Sequence, residues 1–246
     1  MGQAAHWGYR FYRNLWTGLD WVLPPTCGGC GRPGTRWCDG CQTRVVRPLE
    51  PVCEVCGTPQ QLAGVCDGCR SSPPFYVALR SWSVFDQPVR QALHRLKYRR
   101  DMGLGEALAA AMGESIQNLG WPVEIVAPVP LSRKRLAERG YNQVSMVALP
   151  LTLMCGWGYR PQALSRARET RSQVGLSREE RRQNVRGAFV AQPSQVRGKA
   201  VLVVDDVTTT GATLASCAEA LMRAGAQQVY GFTVARALAR HGLKDV

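Results

Sequence analysis

Residues 201–214 read Val201-Leu202-Val203-Val204-Asp205-Asp206-Val207-Thr208-Thr209-Thr210-Gly211-Ala212-Thr213-Leu214. The apolar run over 199–204 has the pattern of a strand covered on both faces, as strands of parallel sheets are. It ends in two carboxylates. Hydroxyl side chains around one glycine follow, and the spacing then predicts a helix over 213–224. A helix N-terminus leaves backbone N–H groups unpaired at the positive end of its dipole, so a phosphate fits there, with the Thr hydroxyls as further donors. Gly211 lets the backbone pass close to the anion. The carboxylates would repel a phosphate and must serve another part of the same ligand. A vicinal diol suits them, because a carboxylate accepts two hydroxyl hydrogen bonds, and a magnesium ion could be held nearby. Phosphate beside sugar hydroxyls describes a ribose 5-phosphate. A plain turn at Thr208 to Thr210 with Thr213 as a cap would explain the helix start and leave the Asp pair unexplained. The chain has no G-x-x-x-x-G-K-[ST] and no G-x-G-x-x-G after a strand, which excludes the common nucleotide-phosphate loops.

Working outward, alternation predicts strands over 76–85 and 123–129, and helical spacing covers 88–98, 104–119 and most of 133–149. A strand at 164–167 leads into a charged stretch over 169–184, and a last strand is expected over 228–235. Strands alternating with helices of this length imply an α/β fold, a mainly parallel sheet with helices on both faces. In such sheets ligands bind beyond the carboxyl ends of the strands, which points to the loop after Val204.

Before that domain, eight of the ten cysteines form four C-x-x-C pairs, Cys27/Cys30, Cys38/Cys41, Cys53/Cys56 and Cys66/Cys69. Two such knuckles aim four thiolates at one ion about 2.3 Å away, so four knuckles supply two closed, structural zinc sites. The simplest connectivity joins the first knuckle to the second and the third to the fourth, with interleaving as the alternative. A disulfide framework would need an oxidising compartment. Cys155 and Cys217 read as ordinary buried apolar residues. Ser71-Ser72-Pro73-Pro74 reads as a linker, giving an N-terminal helix over 1–22, a zinc module over 23–72 and the α/β domain over 75–246.

The 246 residues suit one ordinary core plus a smaller module. A net charge of +13 favours anionic partners such as phosphorylated metabolites, nucleic acid or an acidic surface, without choosing among them. No stretch approaches the ~20 apolar residues that span a bilayer, and residues 16–23 are too short and polar for a secretory core; a cytoplasmic protein without membrane insertion is expected. The aromatics Trp7, Tyr9, Phe11, Tyr12 and Trp16 recur at helical spacing, most simply a helix packing on the body, with a membrane-surface helix as the other reading.

The 201–213 stretch resembles the type I phosphoribosyltransferase fingerprint: four apolar residues, two acidic ones, then a loop of the T-T-G-x-T kind. From about 20 to 240 the chain resembles the ComF/GntX family, competence-associated proteins that join a cysteine-rich zinc ribbon to a phosphoribosyltransferase-like domain. The likeness rests on the C-x-x-C pairs, on His94-Arg95-Leu96-Lys97-Tyr98, on Pro128 to Leu131 with Arg139-Gly140-Tyr141-Asn142-Gln143, and on Thr170 to Gln173 with Asn184 to Phe189. It implies binding of phosphoribosyl pyrophosphate (PRPP) or a nucleotide with Mg2+. By position, Asp205 and Asp206 would contact the ribose hydroxyls, and Thr208, Thr209, Thr210, Gly211, Ala212 and Thr213 would hold the 5-phosphate. The loop Val129, Pro130, Leu131, Ser132, Arg133 and Lys134 would approach the pyrophosphate. Under that reading Arg133, Lys134 and Arg135 offset diphosphate charge, and a mobile hood over 168–182, with Arg168, Arg171, Ser172 and Gln173, closes over the site; a solvated helix face is the plain alternative for each. Thr209 stands where purine phosphoribosyltransferases generally carry an Asp, which disfavours purine salvage. Membership implies a link to DNA uptake, so single-stranded DNA or DNA-uptake proteins are candidate partners beside a catalytic or merely sensing role.

Overall fold

A computed structural model describes residues 3–168 and 178–238. Helix α1 (Gln3–Val22) is followed by two cysteine-bearing modules, each with one short helix, α2 (Asp39–Gln42) and α3 (Asp67–Ser71). The α/β domain then runs β1 (Ala78–Val84), α4 (Val89–Tyr98), α5 (Leu104–Gln117), β2 (Ile125–Pro128), α6 (Arg133–Arg139), α7 (Gln143–Cys155) and β3 (Gly158–Tyr159). It continues β4 (Leu164–Arg166), α8 (Arg178–Val185), β5 (Phe189–Ala191), α9 (Pro193–Val196), β6 (Ala200–Thr208), α10 (Ala212–Arg223) and β7 (Gln228–Arg236).

Five strands form one parallel sheet in the order β1-β7-β6-β2-β3, and β4 pairs with β5 antiparallel as a separate flap. The apolar run predicted to be buried is the middle strand. Its alternation splits the core: Leu202 and Val204 face one layer with Leu93, Leu108 and Val147 of α4, α5 and α7, whereas Val201 and Val203 face the other with Leu214 and Cys217 of α10. From β2 the chain moves outward to β3, then returns to the other side of β2 to form β6. The strand order therefore reverses between β2 and β6, and a crevice opens beyond their carboxyl ends.

Two boundaries differ from the sequence expectation. The strand β6 does not stop at Val204 but continues through both aspartates to Thr208, because β7 pairs with it as far as Arg236. The predicted helix over 133–149 is two helices, since Gly140 adopts the left-handed conformation that ends α6 and Asn142 caps α7, accepting from Val144 N at 3.0 Å. Within the charged stretch read over 169–184, α8 is described from Arg178; residues 169–177 lie outside the described part.

The helix expected at the N-terminus packs with one face only. Tyr9 Oη donates to Glu106 Oε1 at 2.7 Å, and Trp16 sits under the Arg36 guanidinium at 5.3 Å. Trp7, Phe11, Leu15 and Leu19, four residues apart and so on one stripe, are exposed. Among the described residues no helix is long and apolar enough to cross a membrane.

Candidate functional site

The eight knuckle cysteines gather into two clusters, Cys27/Cys30/Cys38/Cys41 and Cys53/Cys56/Cys66/Cys69, with all sulfur atoms of each cluster within 4.8 Å of one another. Sulfur separations of 3.5 Å (Cys27 to Cys41) and 3.7 Å (Cys30 to Cys38, Cys56 to Cys66) are close to the edge of a tetrahedron around one zinc ion. The N–H groups of Cys56 and Cys66 point at Cys53 Sγ, at 3.5 and 3.3 Å, and the Cys38 N–H points at Cys27 Sγ, as negative sulfur requires. Both sets fit structural zinc, each closed by its four thiolates. The two modules are copies of one pattern: C-x-x-C-G-x-P at 27–33 and 53–59, then C-D-G-C at 38–41 and 66–69. That internal repeat was readable and decides the connectivity, yet the spacing argument passed over it. Cys217 is buried and Cys155 half-buried, neither near a cluster.

At the switch point a cleft of about 390 Å³ opens between the ends of β2 and β6. Successive residues of β6 point to opposite faces, so its two carboxylates have different neighbours. Asp206, 8% exposed, turns toward α4 and α7. Lys97 Nζ lies 3.2 Å from its Oδ2, and Gln143 Nε2 donates to the same oxygen at 2.7 Å, while the Gln143 carbonyl accepts from Arg139. Burial opposes the charge on Asp206, but Lys97 and Gln143 outweigh it and hold the carboxyl below the usual range. Asp205 faces the α10 layer. Burial first, and then the charge on Asp206, push it up to about 8. Of the pair, Asp206 is the more readily ionised and is fixed in place by its partners.

That difference has a measurable sign. Between the ordinary value near 3.8 and about 8, the folded protein keeps the Asp205 proton while the unfolded chain loses it, so this group's contribution falls as pH rises through that window. Asp205→Asn should be more stable than wild type, with the gap widening by about 3–4 kcal/mol from pH 5 to pH 8. Urea denaturation at the two pH values checks this; a gap that does not change with pH would mean an ordinary carboxyl.

The cleft walls come from the end of α4, the loop after β2, α6, the start of α7, Arg166 of β4, the end of β6 and the start of α10. Val129, Pro130, Leu131 and Ser132 follow β2, and the Ser132 hydroxyl caps α6, accepting from Arg135 N at 3.2 Å. The cations α6 gives to the lining are Arg135 and Arg139; Arg133 and Lys134 of the predicted loop are outside it. The end of α4 contributes Lys97, Tyr98 and Arg100, with Arg139 stacked 5.2 Å from the Tyr98 ring. Arg100 has φ +53°, a conformation usually left to glycine after a helix.

Of the hydroxyl loop, Thr213 reaches the cleft, whereas Thr210, Gly211 and Ala212 line a neighbouring pocket with Cys56, Cys69 and Tyr76. Thr208 is buried as the last residue of β6, Gly211 caps α10 with φ +79°, Ala212 N donates to Thr210 Oγ1 at 3.4 Å, and Thr213 lines the cleft. Thr209 Oγ1 accepts from Arg181 of α8 at 2.6 Å. Of the predicted hood, Arg168 is described, its guanidinium donating to the carbonyls of Asn184 and Arg186 at 3.0 and 2.7 Å; Arg171, Ser172 and Gln173 lie outside the described residues. Arg135 is among the cations expected to offset diphosphate charge and Arg181 falls in the expected hood, whereas sequence reasoning left Lys97 and Arg139 open between ligand and packing and assigned Gln143 and Arg166 no role at the site. A lysine and a glutamine on apolar helix faces were the available signal, since such residues are seldom buried without a partner.

Comparison with known proteins agrees with both halves. A family model described as a double zinc ribbon domain matches residues 18–70, and one described as a phosphoribosyl transferase domain matches residues 163–245. The DNA utilization protein YhgH of Salmonella typhi is 32% identical over 227 residues, covering 88% of this chain and 99% of that protein. Competence protein F of Haemophilus influenzae is 28% identical over 209 residues, 81% of this chain and 90% of that protein. Among solved structures, an adenine phosphoribosyltransferase aligns over 57% of this chain and 74% of its own at 20% identity, with a TM-score of 0.37. A relative this similar over almost its entire length, together with a double zinc ribbon ahead of a phosphoribosyltransferase domain, shows that the chain belongs to the ComF family.

Proposed function

We propose that the cleft binds PRPP, or a nucleotide carrying a ribose 5-phosphate, with Mg2+. The observation that carries this reading is the placement of one ionised, braced carboxylate, Asp206, between a hydroxyl-rich loop at the start of α10 and a cationic wall of Lys97, Arg100, Arg135 and Arg139. The loop suits the 5-phosphate, the carboxylate the ribose diol, and the cations the diphosphate. Mg2+ bound with the diphosphate would supply further charge compensation, with the carboxyl groups of Asp205 and Asp206 lining the same cleft. Group transfer at the anomeric carbon would rest on positioning and charge compensation. Thr209, held by Arg181, offers no proton acceptor for a purine base.

Calorimetric titration of PRPP with Mg2+ is the test. The wild type should bind, and Asp205→Asn/Asp206→Asn should lose about 100-fold or more in affinity, the loss expected for two sugar hydroxyl bonds to charge. Equal binding by both proteins, or none by the zinc-loaded wild type, refutes the reading.

The relatives named for DNA utilization and competence, together with the +13 charge, support work in the cytoplasm beside DNA uptake or nucleotide handling. Single-stranded DNA should then bind with steep salt dependence; no binding at low salt removes DNA as a direct partner and leaves a nucleotide sensor or transferase.

A further inference from the structure

The second cysteine module does not merely neighbour the sheet; it is fastened to the loop that shapes the cleft. Arg236, the last residue of β7, is 2% exposed. Its Nη2 donates to the carbonyl of Cys56, and its Nη1 donates to Thr58 Oγ1 at 3.2 Å and to the Thr209 carbonyl at 3.4 Å. Thr58 Oγ1 in turn lies 3.2 Å from Cys56 Sγ. One guanidinium thus spans from the backbone of a metal-ligating cysteine to the middle of the hydroxyl loop. The approach is close-fitting: Gly57 has φ +66°, and a Cβ there would lie 2.3 Å from the Leu79 carbonyl oxygen. The module is also bonded to β1, with Leu79 N donating to Val55 O at 2.7 Å. The first module is fastened elsewhere, through Arg95 to the Cys27 carbonyl at 2.9 Å.

A guanidinium has a fixed fork of donors and cannot shed its charge, so its carbonyl partners must keep their relative positions or leave a buried cation short of acceptors. Closing the 53–69 cluster on zinc fixes the Cys56 carbonyl and Thr58, hence Arg236, hence the Thr209 carbonyl. The reverse also holds. We infer that Arg236 is a positioning residue that couples metal in the Cys53/Cys56/Cys66/Cys69 cluster to anion binding at the Thr208–Thr213 loop. Coupling of this kind is reciprocal: if the metal strengthens ligand binding by some factor, the ligand strengthens metal binding by the same factor. The inference rests on the ligand reading proposed above.

The test measures zinc release to a chelator from the full chain, with and without saturating PRPP and Mg2+, beside calorimetry of PRPP. In the wild type, PRPP should slow release of one of the two zinc equivalents by about 10-fold and leave the other unchanged, within the usual 5–150-fold range of site coupling. Arg236→Met should still carry two zinc equivalents, bind PRPP about 10-fold more weakly and show no ligand effect on either phase. Thr58→Val, a smaller change that keeps the arginine, should reduce the ligand effect and serves if Arg236→Met fails to fold. A wild type that binds PRPP by calorimetry yet releases both metals at unchanged rates overturns the coupling alone. A wild type that binds no PRPP overturns the ligand reading and the coupling with it.

Discussion

Stripping metal with a strong chelator is expected to release two zinc equivalents per chain and to unfold residues 26–71. The reason lies in what holds that segment together. Around the second cluster the buried apolar residues are Cys53, Cys56 and Cys69 themselves, with Val55, Val65 and the fourth ligand Cys66 packed beside them. A core that small cannot offset the conformational entropy of ordering the segment, about 1–2 kcal/mol per residue for the backbone alone. Metal binding worth about 10–16 kcal/mol per site supplies the difference. Without a cation, four sulfurs within 4.8 Å cannot all be ionised, and the N–H groups aimed at Cys27 and Cys53 lose their strongest acceptor. Cys30→Ser and Cys56→Ser should each lose one equivalent. Loss of the second module would also uncover β1 at the sheet edge, where Val55 now caps the Leu79 N–H, so the stripped protein should aggregate as well as become cleavable within 26–71. Metal analysis and limited proteolysis with and without chelator check this. Protease resistance across 26–71 after complete metal removal would show that packing, not metal, holds the modules.

Much of this architecture was legible because it follows from local periodicity. The run 201–204 could only be a strand buried on both faces, and the C-x-x-C spacing could only bring sulfurs together. The split of the predicted 133–149 helix was signalled by Arg139-Gly140-Tyr141-Asn142, a glycine and a capping residue in sequence, and was missed because apolar spacing resumes in phase beyond it. The continuation of β6 through Asp205 and Asp206 was hidden for another reason. Adjacent carboxylates have low strand propensity, and only pairing with β7 up to Arg236 holds them extended. The same long-range contact explains why the acids could be named but their chemistry could not. Which one is ionised depends on Lys97 and Gln143, far away in sequence, and on which face of the strand each acid occupies. Arg236 lies one residue beyond the expected strand 228–235 and carries no local signal, because its partners Cys56, Thr58 and Thr209 come from two other segments.

Lys97→Met should cost about 3–5 kcal/mol of stability at neutral pH, the usual penalty for removing one partner of a buried ion pair. Lys97 and Asp206 are both largely shielded, with side-chain exposures of 13% and 11%, so the remaining carboxylate would keep Gln143 as a donor but lose its counter-charge. Its carboxyl would then rise above the ordinary range. The sign follows: a raised carboxyl costs stability only where the unfolded chain has given up its proton, so the penalty should shrink as pH falls toward 4 and grow toward neutrality. The double variant Lys97→Met/Asp206→Asn removes both charges and leaves a neutral amide beside Gln143, and it should recover most of the lost stability, since replacing both members of such a pair is often near neutral. It should not recover ligand binding, because the diol needs the carboxylate and the diphosphate needs the cation. Urea denaturation and PRPP calorimetry on the two variants separate these roles. A Lys97→Met protein as stable as wild type would mean that Asp206 does not depend on the pair, and a double variant that binds PRPP normally would mean that the pair serves the fold and that the ligand is held elsewhere in the cleft.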